Sequence, residues 1–193
     1  MRRGKHLKDR CVKMSRKDYL TGVRDRLVND VLIYFDKLDD EAKNGSFVGF
    51  WGSARLIFPV IEAVAKTIYK PSRKTGEDNR VQKLLRSLDV EYPELVWQMY
   101  RNSLAHNDHL AHIEYGKRSV KWSVTTSAGG AIMGHIFKDG VIHIDTRKLF
   151  NDFYNFLEHE ISMSKTSVYV KTGLRVGRKY GGELRREVDE LST

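Results

Sequence analysis

The apolar residues of the first 70 positions recur with the spacing of two amphipathic helices. The first stripe consists of Leu20, Val23, Leu27, Val31, Tyr34 and Leu38, and the second of Phe50, Ala54, Ile57, Ile61, Val64 and Ile68. Steps of three and four residues place each stripe on one side of an α-helix. The pattern therefore predicts two consecutive helices, each with one buried face.

Polar residues and prolines mark the expected ends of these helices. Ser15, with Asp18 three residues later, predicts the start of the first helix, and Asn44-Gly45 predicts its end. Ser46 is the expected cap of the second helix. Pro59 lies inside the second stripe and predicts a kink, because proline removes a backbone donor and its ring crowds the preceding turn.

The rest of the chain alternates between helical and strand-like patterns. We expect helices over residues 80–88, from Pro93 onwards, and from a cap at Asp145 or Thr146. Between the last two helices the period falls to two, with Trp122 inside an alternating run, and Lys138-Asp139-Gly140 predicts a hairpin turn. The sequence thus predicts a mainly α protein with an inserted or appended β-hairpin or small antiparallel sheet near residues 113–144.

Composition narrows the class of protein. The chain has 193 residues, of which 40% are hydrophobic and 31% charged, and its longest apolar run is far shorter than the roughly 20 residues that a membrane crossing needs. We expect no membrane association. No apolar signal region follows the basic start, and the single cysteine, Cys11, suits a reducing cytoplasm.

The positive charge lies at the two ends of the chain. The formal net charge is +9; residues 1–30 contribute +6, residues 165–193 contribute +3, and the middle is neutral. Basic clusters of this kind attract polyanions through phosphate neutralisation. We divide the chain into a basic N-terminal arm (1–14), a helical domain (15–163) and a basic C-terminal extension (164–193).

One segment on the helix that opens at Pro93 combines residue types suited to acid–base chemistry on a phosphate. Asn102 and His106 are i,i+4 neighbours and His109 follows three positions later, so these side chains share one helix face. Arg101 lies about 140° around the helix from His106. A single protomer would therefore not aim both groups directly at one atom, although a long arginine side chain or a partner subunit could close the gap.

The segment from Tyr100 to Asn107, with its Arg-Asn-x-x-x-His pattern at Arg101, Asn102 and His106, resembles the signature of the HEPN superfamily. This resemblance implies a HEPN-like helical bundle over residues 15–163 and a metal-independent endoribonuclease, in which two protomers turn their motifs toward one cleft. His106 would be the acid/base group, Arg101 the phosphate clamp and Asn102 the orienting residue. Asp108 and His109 would be accessory.

The resemblance also implies partners and products. RNA cleaved through attack of its 2′-OH would carry 2′,3′-cyclic phosphate and 5′-OH ends, with no cofactor or metal required. The setting would be a toxin or a phage-defence effector, with a neutralising antitoxin or a nucleotidyltransferase-like partner. A non-catalytic RNA- or nucleotide-binding module, or a dimerisation module, remains the alternative. Candidate RNA contacts are Arg2, Arg3, Lys5, Lys117, Arg118 and Lys121.

Other interpretations of the same residues are weaker. A metal site formed by His106, His109 and His112 would place the third imidazole about 120° from the first on a continuous helix. The glycines at 129–134 lack the Lys-Ser/Thr of a phosphate-binding loop. Trp122, His135 and His143 could stack on bases, although alternating aromatic residues in strands usually belong to a core.

Overall fold

The computed structural model describes residues 12–45, 50–70, 79–101, 113–115, 118–126, 135–138, 140–165 and 168–172. Its helices are α1 (Arg16–Arg26), α2 (Leu32–Lys43), α3 (Phe50–Ile68), α4 (Arg80–Ser87), α5 (Pro93–Met99) and α6 (Thr146–Met163). Its strands are β1 (Val12–Ser15), β2 (Ile113–Tyr115), β3 (Arg118–Thr125), β4 (Ile136–Lys138), β5 (Val141–Asp145) and β6 (Tyr169–Thr172). The described residues are mainly helical, which confirms the predicted class.

The first apolar stripe forms a nearly continuous helical segment in which a π-helical turn, Leu27–Val31, joins α1 to α2. The hydroxyl of Ser15 accepts a hydrogen bond from the backbone N–H of Asp18 at 3.0 Å, which confirms the predicted cap. One predicted core position is wrong: Phe35 is fully buried, whereas Tyr34 is only half-buried. A π turn contains more residues than an α turn. After it, the side chain that faces the core is therefore one position later in the sequence than an ideal α-helical period predicts.

Helix α3 lies at the centre of the packing and contacts α1, α2, α4, α6 and β3. Its fully buried apolar side chains are Ala54, Ile57, Phe58, Ile61, Val64 and Ala65, which include four residues of the predicted stripe. Ile68 of that stripe is half-buried, and the side chain of Phe50 lies outside the described part of the chain. The helix continues through Pro59, which is exposed, so the carbonyl that loses its helical donor is on the solvent side. At Gly52 a Cβ atom would collide with the Tyr34 hydroxyl, so glycine permits the close approach of α2.

The four-stranded sheet has the order β2-β3-β5-β4. The hairpin predicted at residues 138–140 is confirmed: β4 and β5 are antiparallel, and Gly140 at the turn has φ +72°. The expectation of a purely antiparallel sheet is wrong, because β3 and β5 are parallel. After β3 the chain passes to the edge of the sheet, where it forms β4. It then turns back and forms β5 between β3 and β4.

A set of polar contacts ties the sheet to the helices. The Thr126 hydroxyl donates to the carboxylate of Asp39 on α2 at 2.6 Å, and both side chains are buried. Arg147 of α6 reaches the same carboxylate, with its Nε 3.4 Å from Asp39 Oδ2. The Ser53 hydroxyl of α3 donates to Thr146 Oγ1 at 2.9 Å. These contacts fix where the ends of β3 and β5 meet α2, α3 and α6.

The two ends of the described chain form a separate two-stranded antiparallel sheet, β1 with β6, in which Val12 is opposite Thr172. The backbone N–H of Arg16, at the start of α1, donates to the carbonyl of Val168, just before β6, at 2.6 Å. Two ion pairs, Arg16–Glu160 and Arg24–Glu158, join α1 to α6. No helix in the described ranges is long and apolar enough to cross a membrane.

The Thr126–Asp39 hydrogen bond generates a stability prediction. Thr126→Val keeps the volume but removes the hydroxyl donor to a buried carboxylate, and hydrogen bonds to charged groups contribute about 1.5–3 kcal/mol. We expect a loss of that size in the free energy of unfolding, measured by urea denaturation. Thr67→Val, on the exposed surface of α3, is the matched control and should change stability by less than about 0.5 kcal/mol. Equal effects of the two substitutions would contradict the role of this contact.

Candidate functional site

The end of α5 presents an arginine to solvent beside a buried tyrosine. Pro93 occupies the first turn of α5, as predicted, and the helix passes into a wider π-type turn at Tyr100 and Arg101. Tyr100 is only 6% exposed, whereas Arg101 is exposed. The guanidinium of Arg101 is thus accessible to a ligand. The preceding residue, Tyr100, is buried and anchors the backbone at this point in the core.

Two aromatic contacts anchor this end of the helix. The ring of Tyr100 stacks on Phe58 of α3, with centroids 4.5 Å apart and planes 17° from parallel. Its other neighbour is Trp97, one turn earlier on α5, with centroids 5.5 Å apart. The stack fixes the point from which Arg101 projects. Phe58 lies beside the predicted stripe rather than on it, so periodicity alone did not identify it; its aromatic character was the available signal.

Charged residues of α3 act on the same tyrosine. Burial raises the pKa of the Tyr100 hydroxyl, the carboxylate of Glu62 raises it further, and the guanidinium of Arg55 opposes them. Glu62 forms an ion pair with Lys66 on the next turn. Arg55 is exposed on α3. A second arginine, which the motif did not indicate, therefore lies within electrostatic reach of the residue next to Arg101.

The remaining predicted site residues fall mostly outside the described ranges: Asn102, His106, Asp108, His109, Lys117, Arg2, Arg3 and Lys5. Arg118 is the first residue of β3, and Lys121 lies exposed on the same strand. Of the proposed catalytic set, the described residues include Arg101 alone. They contain no group of three or more His, Cys, Asp or Glu side chains able to hold a metal ion.

Trp122 and His143 are placed by the sheet. Trp122 is 6% exposed and packs edge-on against Trp51 of α3, with ring centroids 5.3 Å apart. Its ring belongs to the core and is not available to stack on a base. His143 lies on β5, opposite Ser123 and Ile136, and is half-buried. The core interpretation of the alternating aromatic position is therefore confirmed at Trp122.

His135 lines a small cavity of about 10 Å³ between the sheet and the segment that joins α4 to α5. The other lining residues are Val90, Glu91, Tyr92, Val96, Ile142 and Ile144. Neither ring nitrogen of His135 has a hydrogen-bond partner within the structure as described, and the space is at the lower limit for one water molecule. Burial lowers the pKa of His135 and the charge of Lys148 lowers it further, whereas Asp145 and Asp152 oppose the shift.

This lowered pKa predicts acid sensitivity. Below about pH 6.5 the unfolded chain takes up a proton at position 135 more readily than the folded protein does, so stability falls as the pH decreases toward the folded-state pKa. We expect the urea midpoint of the parent to decrease between about pH 7.5 and pH 5, and His135→Leu to reduce that decrease. His159→Leu, at an exposed position of α6, is the matched control and should retain the parental pH dependence. The same pH profile in all three proteins would contradict the assignment.

Comparisons of the chain with protein-family models, with curated proteins and with solved structures gave no match. The residues themselves are therefore the basis for a function. They are the exposed Arg101, the aromatic stack that anchors it, and the Asn102 and His106 that follow it in the sequence.

Proposed function

We propose that the protein is a metal-independent endoribonuclease of the HEPN type. The observation that carries the proposal is Arg101, exposed at the end of a helix whose last turn is anchored in the core, with Asn102 and His106 following in the Arg-Asn-x-x-x-His pattern. An exposed guanidinium on a rigid base suits a phosphate ligand, because its planar fork matches phosphate oxygens and little reorganisation is needed.

Each residue of the motif has a role in the proposed reaction. His106 takes the proton from the RNA 2′-OH, and the resulting oxygen attacks the adjacent phosphorus. The bond from phosphorus to the 5′-oxygen breaks, and that oxygen receives a proton from an imidazolium. Arg101 stabilises the charge that develops on the phosphate, and Asn102 orients the imidazole of His106. The products are a 2′,3′-cyclic phosphate and a 5′-OH.

Two protomers are proposed to complete the site. A continuous helix through residues 101–106 would place Arg101 and His106 about 140° apart, and a partner copy that faces the same cleft would then bring the second group to the phosphate from the other side. Asp108 and His109 would assist from the same segment. An endoribonuclease that acts on cellular RNA needs restraint, so we propose a toxin or phage-defence setting with a neutralising or activating partner.

Substitution of Arg101 tests the proposal. Loss of one group that stabilises transition-state charge costs about 10²–10³-fold in rate, and loss of a general acid–base group costs about 10²–10⁴-fold. We therefore expect Arg101→Ala and His106→Ala to reduce cleavage of a labelled RNA by at least about 100-fold in excess EDTA. The fold should be intact by circular dichroism.

Arg86→Ala is the matched control, because Arg86 is an exposed arginine on the neighbouring helix α4. It should cut at the parental rate. Parental cleavage by Arg101→Ala would disprove the role of the clamp. RNA binding without cleavage by the parent, with binding lost in Arg101→Ala, would instead favour the non-catalytic binding module.

A further inference from the structure

Two exposed aromatic residues meet at the edge of the four-stranded sheet, and we refer to them as the ring pair. Phe137 of the edge strand β4 is 46% exposed, and Tyr92, which directly precedes α5, is 40% exposed. Their ring centroids are 5.7 Å apart, with the planes 63° from parallel. Such an edge-to-face contact holds both rings in a defined orientation. The ring pair is therefore an aromatic platform, open to solvent, on which a flat ligand can stack.

A cavity with unpartnered polar atoms adjoins the ring pair. Tyr92 lines this cavity together with His135, which is two residues before Phe137 in the chain. Both ring nitrogens of His135 are buried, and in the described part of the chain neither has a hydrogen-bond partner. Buried polar atoms are normally satisfied by protein, water or a ligand. Because Glu91, which also lines the cavity, is exposed, the cavity is reached from the surface.

The size of the cavity limits what can enter it. Its volume is about 10 Å³, which is at most the space of a single water molecule. A flat ligand that stacks on the ring pair would therefore remain outside and place only one oxygen or nitrogen atom of its edge in the cavity. This arrangement suits a heterocyclic base, because such a ring carries exocyclic polar atoms.

The polar groups at the cavity accept more hydrogen bonds than they donate. The Tyr92 hydroxyl donates to the Glu91 carboxylate, which has further lone pairs. Burial lowers the pKa of His135, so its imidazole is neutral at pH 7 and offers one donor and one acceptor. A matching ligand edge carries several N–H donors and one oxygen acceptor. Guanine has such an edge, with N1–H, N2–H₂ and O6, whereas uracil has a single N–H and adenine lacks the oxygen.

The ring pair and Arg101 lie toward opposite ends of one helical segment. Tyr92 and Arg101 are nine positions apart in the sequence, which corresponds to about 14 Å at the rise of a helix. Stacking of Tyr100 on Phe58 fixes one end of this segment, and the contact of Tyr92 with Phe137 fixes the other. Successive nucleotides of a stacked strand are about 3.4 Å apart, so about four nucleotides span the distance.

We propose that the ring pair and its cavity form a subsite for a guanine base. The base stacks on the ring pair, its N–H groups donate to the Glu91 carboxylate, and its O6 accepts a hydrogen bond from His135. This inference rests on the proposed function, because the guanine would belong to the RNA strand whose phosphate Arg101 holds. Cleavage would then occur a few nucleotides from a guanine.

The ring pair is tested with a labelled deoxyuridine oligomer of about eight nucleotides, with or without one central deoxyguanosine, by fluorescence anisotropy. One base stack is equivalent to about tenfold in affinity, so the parent should bind the guanine oligomer about tenfold more tightly. Phe137→Leu, which keeps an apolar side chain but removes the flat ring, should abolish this preference, and Phe137→Tyr should retain it. The control Tyr169→Leu removes an exposed ring on β6 and should bind like the parent. Equal affinity of the parent for the two oligomers would overturn the proposal.

The polar edge is tested by substitutions at the cavity. Glu91→Gln replaces an acceptor by a donor and should weaken binding of the guanine oligomer at least about tenfold, without changing binding of the oligomer that lacks guanine. His135→Leu removes both ring nitrogens and should also reduce the preference. Glu94→Gln, at an exposed position of α5, is the matched control and should retain it. A parental preference in both cavity variants would reject the assigned hydrogen bonds.

Two further measurements distinguish the source of the base and separate this inference from the proposed function. Guanosine monophosphate should displace the guanine oligomer only at concentrations well above the Kd of the oligomer, because a strand adds phosphate contacts; tighter binding of the monophosphate would contradict RNA as the source. The deoxy oligomer lacks the 2′-OH that cleavage requires. Guanine-selective binding that is lost in Phe137→Leu, without cleavage of RNA, would support the subsite and reject the nuclease. RNA cleavage at positions unrelated to guanine, and unchanged in Phe137→Leu, would support the nuclease and reject the subsite.

Discussion

Burial of α3 is the constraint on which the rest of the structure depends. A helix with Ile57, Phe58, Ile61 and Val64 fully buried cannot remain at the surface, because each such side chain contributes about 1.5–3 kcal/mol when removed from water. Helices α1, α2, α4 and α6 and strand β3 all contact it. The end of α5 then packs onto this helix through the stack of Tyr100 on Phe58, and Arg101 obtains its fixed and exposed position from that contact.

Polar contacts complement this apolar centre at its junction with the sheet. Asp39, Thr126 and Arg147 join α2, the end of β3 and α6, and Ser53 with Thr146 joins α3 to the start of α6. Hydrophobic burial has no direction, whereas these hydrogen bonds have defined geometry. They therefore select one arrangement of the four-stranded sheet against the helices. The β1–β6 pair forms a second, smaller sheet at the two ends of the described chain.

The sequence was informative wherever a local pattern determined the structure. Spacings of three and four predicted most of the buried positions of α1 and α3, and Ser15 and Asp145 cap helices as their positions indicated. The inward face at Phe35 was not predictable from an ideal period, because the π turn before α2 changes it. The parallel pairing of β3 with β5 and the antiparallel pairing of β1 with β6, across most of the chain, depend on long-range contacts that periodicity does not encode. At the candidate site, the motif indicated Arg101, but only the structure revealed Phe58 and Arg55 beside its anchor.

The central claim concerns chemistry at Arg101, Asn102 and His106, and the ends left on RNA report it most directly. An RNA of known sequence, with one internal 2′-deoxy nucleotide, would be incubated with the parent protein in excess EDTA and its fragments identified by mass spectrometry. The expected fragments carry 2′,3′-cyclic phosphate and 5′-OH ends, with no cut on the 3′ side of the 2′-deoxy nucleotide. Fragments with 3′-OH ends, cleavage after the 2′-deoxy nucleotide, or activity only after a divalent metal is restored would contradict the mechanism.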